Sequence, residues 1–161
     1  MIDSTILINK LIDKIQNDLE LSKKLAILLE EERTALEKRA IEQIEAITEK
    51  KANIISALNE NQNYRDNIQE QLGGPHGFSG LQYILAKFKL QQHPTFKTIL
   101  QELEQLLIKI KAMSTINGKI IAISHAQTLQ VMDIIYGREN TLYGENAQVY
   151  SAGQSKTIVK A

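Results

Sequence analysis

Three histidines, His76, His93 and His125, are the first candidates for chemistry, because imidazole is both a metal ligand and a base near neutral pH. Two sit at glycine or proline sites and one falls in a helical run, with no ligand spacing among them. None has a glutamate three residues before it, so the inward Glu-x-x-His pattern of carboxylate di-metal bundles is missing. The chain has no cysteine, which excludes thiolate zinc sites and disulfides. "GGPHGFSG" (73–80) is glycine-rich but lacks the lysine and the preceding strand of a phosphate cradle. No nucleophile elbow and no dinucleotide fingerprint occurs. Carboxylates are frequent, as in "EEER" (30–33), and their expected place is on solvated helix faces. These observations predict no enzyme activity, no metal and no cofactor.

The totals narrow the alternatives. The 161 residues carry 19 basic and 19 acidic side chains, which gives no electrostatic case for nucleic acid. Aromatics make up 5% and tryptophan is absent, so the core must be aliphatic, a composition that suits helices. "MIDSTILINK" has no basic start followed by a long apolar run, and no stretch approaches ~18 apolar residues. The expectation is a soluble, cytoplasmic protein without stable membrane insertion, a monomer or weak dimer.

The elements that would position any site are helices. Residues 1–72 contain neither glycine nor proline. Ile8, Ile12, Ile15, Leu19, Ala26, Leu29 and Leu36 follow steps of three and four, with Ser22 and Arg33 at polar gaps. Ala40, Ile44, Ile47, Ile54 and Leu58 continue it. One 60-residue helix would measure ~90 Å, against a radius of gyration of roughly 15 Å for a compact domain. A break near Glu37–Ile41 is therefore expected, although "EKRAI" holds no turn residue. Asp3, Ser4 or Thr5 can cap the first helix. After "LGGPHGFSG", Ser79 and Gln82 have capping-box spacing, and "HP" (93–94) separates that piece from the next. The last seam runs Phe96, Ile99, Leu103, Leu106, Ile110, Met113, Asn117, Ile120, Ser124, Val131, Ile134. The resulting class is all-α: an elongated antiparallel bundle of three long helices plus one short one. Helices are expected at about 3–36, 41–70, 79–92 and 95–136, within one helical domain 1–137. Residues 138–161, rich in Ser, Thr, Gln and Lys, are expected to form a flexible tail.

Two features of the last helix go beyond core packing. "NG" (117–118) admits a tight turn, an accident, or a helical site where asparagine sets register and glycine admits another backbone. The apolar rhythm on both sides favours the helix. Beyond it, Ile121, Ile123, Leu129, Met132 and Ile135 spill off the seam. They either pack inside the chain's own bundle or form a groove for a partner's amphipathic helix. A homo-oligomeric coiled-coil adaptor is the alternative that the heptad seam alone supports.

Three segments in order carry a resemblance: "LLEEERTALEKRAIEQIEAITEKKANIISAL" (28–58), "NGKII" (117–121) and "TLYGENAQ" (141–148). From about Ile6 to Val149 the chain resembles the FlgN family of flagellar type III export chaperones. Family members often carry Gly or Asp where this chain has "EKRAI", and 73–94 is no family signature. The resemblance implies a cytoplasmic all-α chaperone without ATPase activity. Its clients would be the hook-filament junction proteins FlgK and FlgL, and it would dock on the export gate protein FlhA and the export ATPase complex. It assigns Asn117 and Gly118 to client binding, joined by Ile120, Ile121, Leu129, Met132 and Ile135 from the apolar surplus. Tyr143 and Gly144 are implied as the export-gate element.

Overall fold

The structure, a computed structural model, describes residues 3–136, apart from the side chains of Ser124, Thr128, Met132, Asp133 and Tyr136. All its regular elements are helical: α1 (Ser4–Glu37), α2 (Ile41–Gln71), α3 (Gly77–Lys87), a 3-10 turn (Leu90–Gln92) and α4 (Pro94–Tyr136). The chain divides into two units, Met1–Asn117 and Gly118–Ala161. The boundary falls at the "NG" dipeptide.

Asp3 caps α1 by accepting from the Thr5 N–H at 3.0 Å. The helix ends although no glycine is near. Arg39 takes a left-handed conformation (φ 54°), the Ala40 N–H reaches back to the Ala35 carbonyl (2.9 Å), and the Arg39 N–H to Leu36 (3.2 Å). That pair of bonds is a Schellman motif, with Ala40 and Ala35 in its apolar contact positions. Gly73 (φ 82°) ends α2 in the same way, with Gly74 bonded to the Gln69 carbonyl at 2.8 Å.

α3 starts at Gly77, two residues before the capping box the sequence suggests, and Ser79 lies inside its first turn. Its cap comes from α2. Asp66 accepts the Gly77 N–H at 2.8 Å, placing a carboxylate at the positive end of the helix. Buried Gln69 donates to the same carboxylate and to the Gly77 carbonyl. The expected helix over 79–92 is split, because Lys89 turns left-handed (φ 52°) and a 3-10 turn follows. Pro94 opens α4, and His93 caps it through Nδ1, which accepts the Phe96 N–H at 3.3 Å.

Within Met1–Asn117, α2 runs antiparallel to α1, since Asp18 meets Asn61 while Glu32 meets Lys51. α4 runs parallel to α1: Lys23 pairs with Glu102, Glu30 with Lys109, and Glu32 with Asn117. The proximal core joins Leu7, Leu11, Ile15 and Leu19 of α1 to Ile68, Leu72, Ile84, Leu90, Phe96 and Ile99. The α1 stripe is therefore shifted from the one the sequence suggests: Leu7 and Leu11 are buried, while Ile8 and Ile12 sit at its edge. A smaller distal core holds Leu28, Ala35 and Ile47, with Ala40, Ile44 and Ile54 packed against it. Along α2 a polar cluster lies between them. Asn61 donates to Asn17 (2.7 Å) and Asp18 (2.9 Å), and Arg65 pairs with Asp18. Burial lowers the Arg65 pKa from its ordinary value, an effect that neighbouring Asp66 opposes.

Candidate functional site

The expected site residues fall into three places. Asn117 ends the first unit and is 3% exposed. Its Nδ2 donates to the Leu29 carbonyl at 2.9 Å and to Glu32 Oε2 at 2.8 Å. Glu32, 5% exposed, accepts Lys51 Nζ on its other oxygen at 2.8 Å. The solvated face expected for "EEER" thus holds for Glu30, Glu31 and Arg33 but not for Glu32, which points into the bundle. Sequence reasoning missed Glu32 and Lys51. Only the burial of the positions around Glu32, Leu28, Leu29 and Ala35, could have signalled it.

Gly118 follows in the same helix and is exposed, with open space where a Cβ would stand. The close backbone approach considered for this glycine is not made among the described residues. From here to Tyr136 no described residue is buried. Ile120 and Leu129 are half-buried; Ile121, Ile123, Val131, Ile134 and Ile135 are exposed, the last two by 71% and 70%. At ~100° per residue, Ile121, Val131 and Ile135 share a sector of roughly 80°, and Ile120, Ile123 and Ile134 fill the adjoining roughly 60°. That makes one broad apolar face on a helix of lysine-poor, mostly uncharged polar composition. The Met132 side chain, Tyr143 and Gly144 lie outside the described residues.

The three histidines have separate surroundings. His76 faces Glu70 at 3.4 Å in the open, His93 is a helix cap, and His125 is exposed. Among the described residues no three metal-ligating groups converge, and no helix is long and apolar enough to cross a membrane. Two shallow grooves of about 460 and 380 Å³ flank α1. The larger has Leu19 and Leu106 in its floor and a rim of Lys23, Glu102 and Lys109, which are already ion-paired.

Among the described residues every regular element is helical, and α4 beyond Gly118 exposes an apolar face. The comparison with protein families is specific: the FlgN protein family matches residues 1–151, and the chain belongs to that family, one of flagellar chaperones. No curated protein and no solved structure matches it.

Proposed function

We propose that this protein is a cytoplasmic export chaperone that binds the C-terminal amphipathic region of the hook-associated proteins FlgK and FlgL. It keeps them from assembling early and delivers them to the type III export gate. The carrying observation is the exposed apolar face of α4 between Ile120 and Ile135. An apolar helix face of this kind is what a client's amphipathic helix can cover in a helix-in-groove mode. The binding set is Ile120, Ile121, Leu129, Met132 and Ile135, together with Ile134. Gly118, exposed and next to this face, stays a candidate contact. Tyr143 and Gly144 are proposed for the contact with FlhA and the export ATPase complex. A homo-oligomeric adaptor would use the same faces; its seam is buried inside the first unit at Phe96 and Ile99 and exposed at Val131 and Ile134, and light scattering at rising concentration separates it from a monomeric chaperone.

Calorimetric titration of the full chain with a synthetic peptide of the FlgK C-terminal helix tests the reading. A saturable one-to-one isotherm is expected. The double substitution Ile134→Asp and Ile135→Asp should weaken binding at least about tenfold, since burying unpaired carboxylates opposes association. Both side chains are exposed, so the helical circular dichroism should be unchanged. Unaltered affinity in the double variant would remove this face from the site.

A further inference from the structure

The carboxamide of Asn117 is more deeply engaged than a client contact would be. Between Leu107 and Ile116 no α4 residue is buried among the described ones. The proximal core reaches α4 only as far as Leu106. Beyond it, the polar contacts of α4 with the hairpin among the described residues are the Lys109–Glu30 pair (3.1 Å), exposed on both sides, and those of Asn117. Exposed ion pairs hold little. The Asn117 contact is different in kind: one amide nitrogen donates to α1 backbone and to a buried carboxylate, which an α2 lysine also grips. Three helices meet in that cluster. Little apolar burial backs this cluster up on α4, so the stretch it holds can open locally without the proximal core.

We propose that Glu32, Lys51 and Asn117 form a latch that holds the Leu107–Asn117 stretch of α4 on the α1–α2 hairpin, and that client binding releases it. Release frees the Leu29 carbonyl of α1 and the half-buried Ile110 and Met113 of α4, and would add apolar surface for the client. The release step rests on the client-binding reading above; the latch itself does not. On this assignment Asn117 is a positioning residue rather than a client contact.

The chain has no cysteine, so an introduced thiol is a clean reporter. Leu29→Cys places one at a position 2% exposed, in the residue whose carbonyl accepts from Asn117. Ala35→Cys places another in the distal core, against α2. In the full chain at neutral pH, maleimide labelling at position 29 should be slow. Asn117→Asp is nearly isosteric and sets a second carboxylate against Glu32. It should accelerate labelling at position 29 at least about tenfold and leave position 35 protected. Adding Glu32→Gln restores a donor opposite an acceptor at that contact, while the Leu29 carbonyl still faces an oxygen, and should slow labelling at least about threefold relative to Asn117→Asp alone. A cavity or packing defect would not be rescued by that exchange. No acceleration, equal acceleration at position 35, or no rescue would overturn the latch.

Saturating FlgK C-terminal peptide, with binding followed by fluorescence anisotropy, tests release. Faster labelling at position 29 in the parent supports it. Binding without acceleration overturns release and leaves the chaperone reading intact. Absence of binding overturns the chaperone reading and release together, and the peptide-free result still decides the latch.

Discussion

The two ends of the first unit are built differently. The proximal end gathers ten buried apolar residues from α1, α2, α3, the 3-10 turn and α4, whereas the distal end has three, from α1 and α2 only. What the distal end lacks in apolar burial it replaces with polar contacts: Glu32 to Lys51 and Asn117, and Glu30 to Lys109. Apolar burial is non-directional and scales with area, while a hydrogen-bonded carboxylate is directional and tolerates no shift. The proximal end therefore supplies cohesion, and the distal end supplies alignment. Local opening should be easier where fewer apolar contacts must separate.

Truncation at the proximal end should have the largest effect. Phe96 is fully buried, and Phe96→Ala should cost about 3–5 kcal/mol, read as a lower urea midpoint for the whole transition. A loss below 1 kcal/mol would show that the proximal core is not the main source of cohesion. Gly80→Ala comes next. A Cβ there would overlap the Pro75 carbonyl oxygen, a backbone atom that Gln69 also contacts, so the α2–α3 connection must shift. The expected cost is about 1–3 kcal/mol, again seen in global unfolding.

The distal counterpart sharpens the contrast. Ile47 is 6% exposed in a core of three, and Ile47→Ala should cost about 2 kcal/mol, the low end for such a truncation. Its signature differs from that of Phe96→Ala. Hydrogen exchange should accelerate first in the amides of 41–55 and leave those near Ile68 and Leu72 at their parent rates. Uniform acceleration through α2 would mean that both ends open as one unit.

The sequence disclosed the helices at both ends and missed particular side chains at each. Aliphatic steps of three and four, the glycine-rich loop and "HP" are enough for an all-α class with three long helices and a short one, as the structure has it. The stripe on α1 slipped because Leu7, Ile8, Leu11 and Ile12 form adjacent apolar pairs, and periodicity alone does not say which member faces inward. Only the partners, Ile84 and Phe96 among them, decide for Leu7 and Leu11. Glu32 escaped for a related reason. A glutamate among glutamates gives no sign of burial, and its two donors arrive from 19 and 85 residues away. At the candidate site, Ile121, Ile123 and Ile135 of the apolar surplus after Gly118 are visible in the sequence and exposed in the structure, whereas the engagement of Asn117 with α1 is a tertiary fact.

The two helix-ending turns carry the smallest and most controlled test of the contrast between ends. Arg39 at the distal tip and Gly73 at the proximal end hold the same position in the same hydrogen-bond motif, at φ 54° and 82°. A residue with a Cβ in that region costs roughly 1–2 kcal/mol. Glycine removes this cost but returns roughly 0.4–1 kcal/mol of chain entropy to the unfolded state. The first term is larger, so Arg39→Gly should raise stability by about 0.5–1 kcal/mol, with the urea midpoint up and its slope unchanged. Gly73→Ala should lower it by a similar amount, because the nearest atom to the added Cβ is the flexible Lys87 Nζ at 3.4 Å, which can move aside. A destabilised Arg39→Gly would mean that the arginine side chain itself contributes to the distal tip more than its backbone strain costs. In that case the tip would owe its closure to side-chain contacts rather than to the backbone bonds of Ala40 and Arg39.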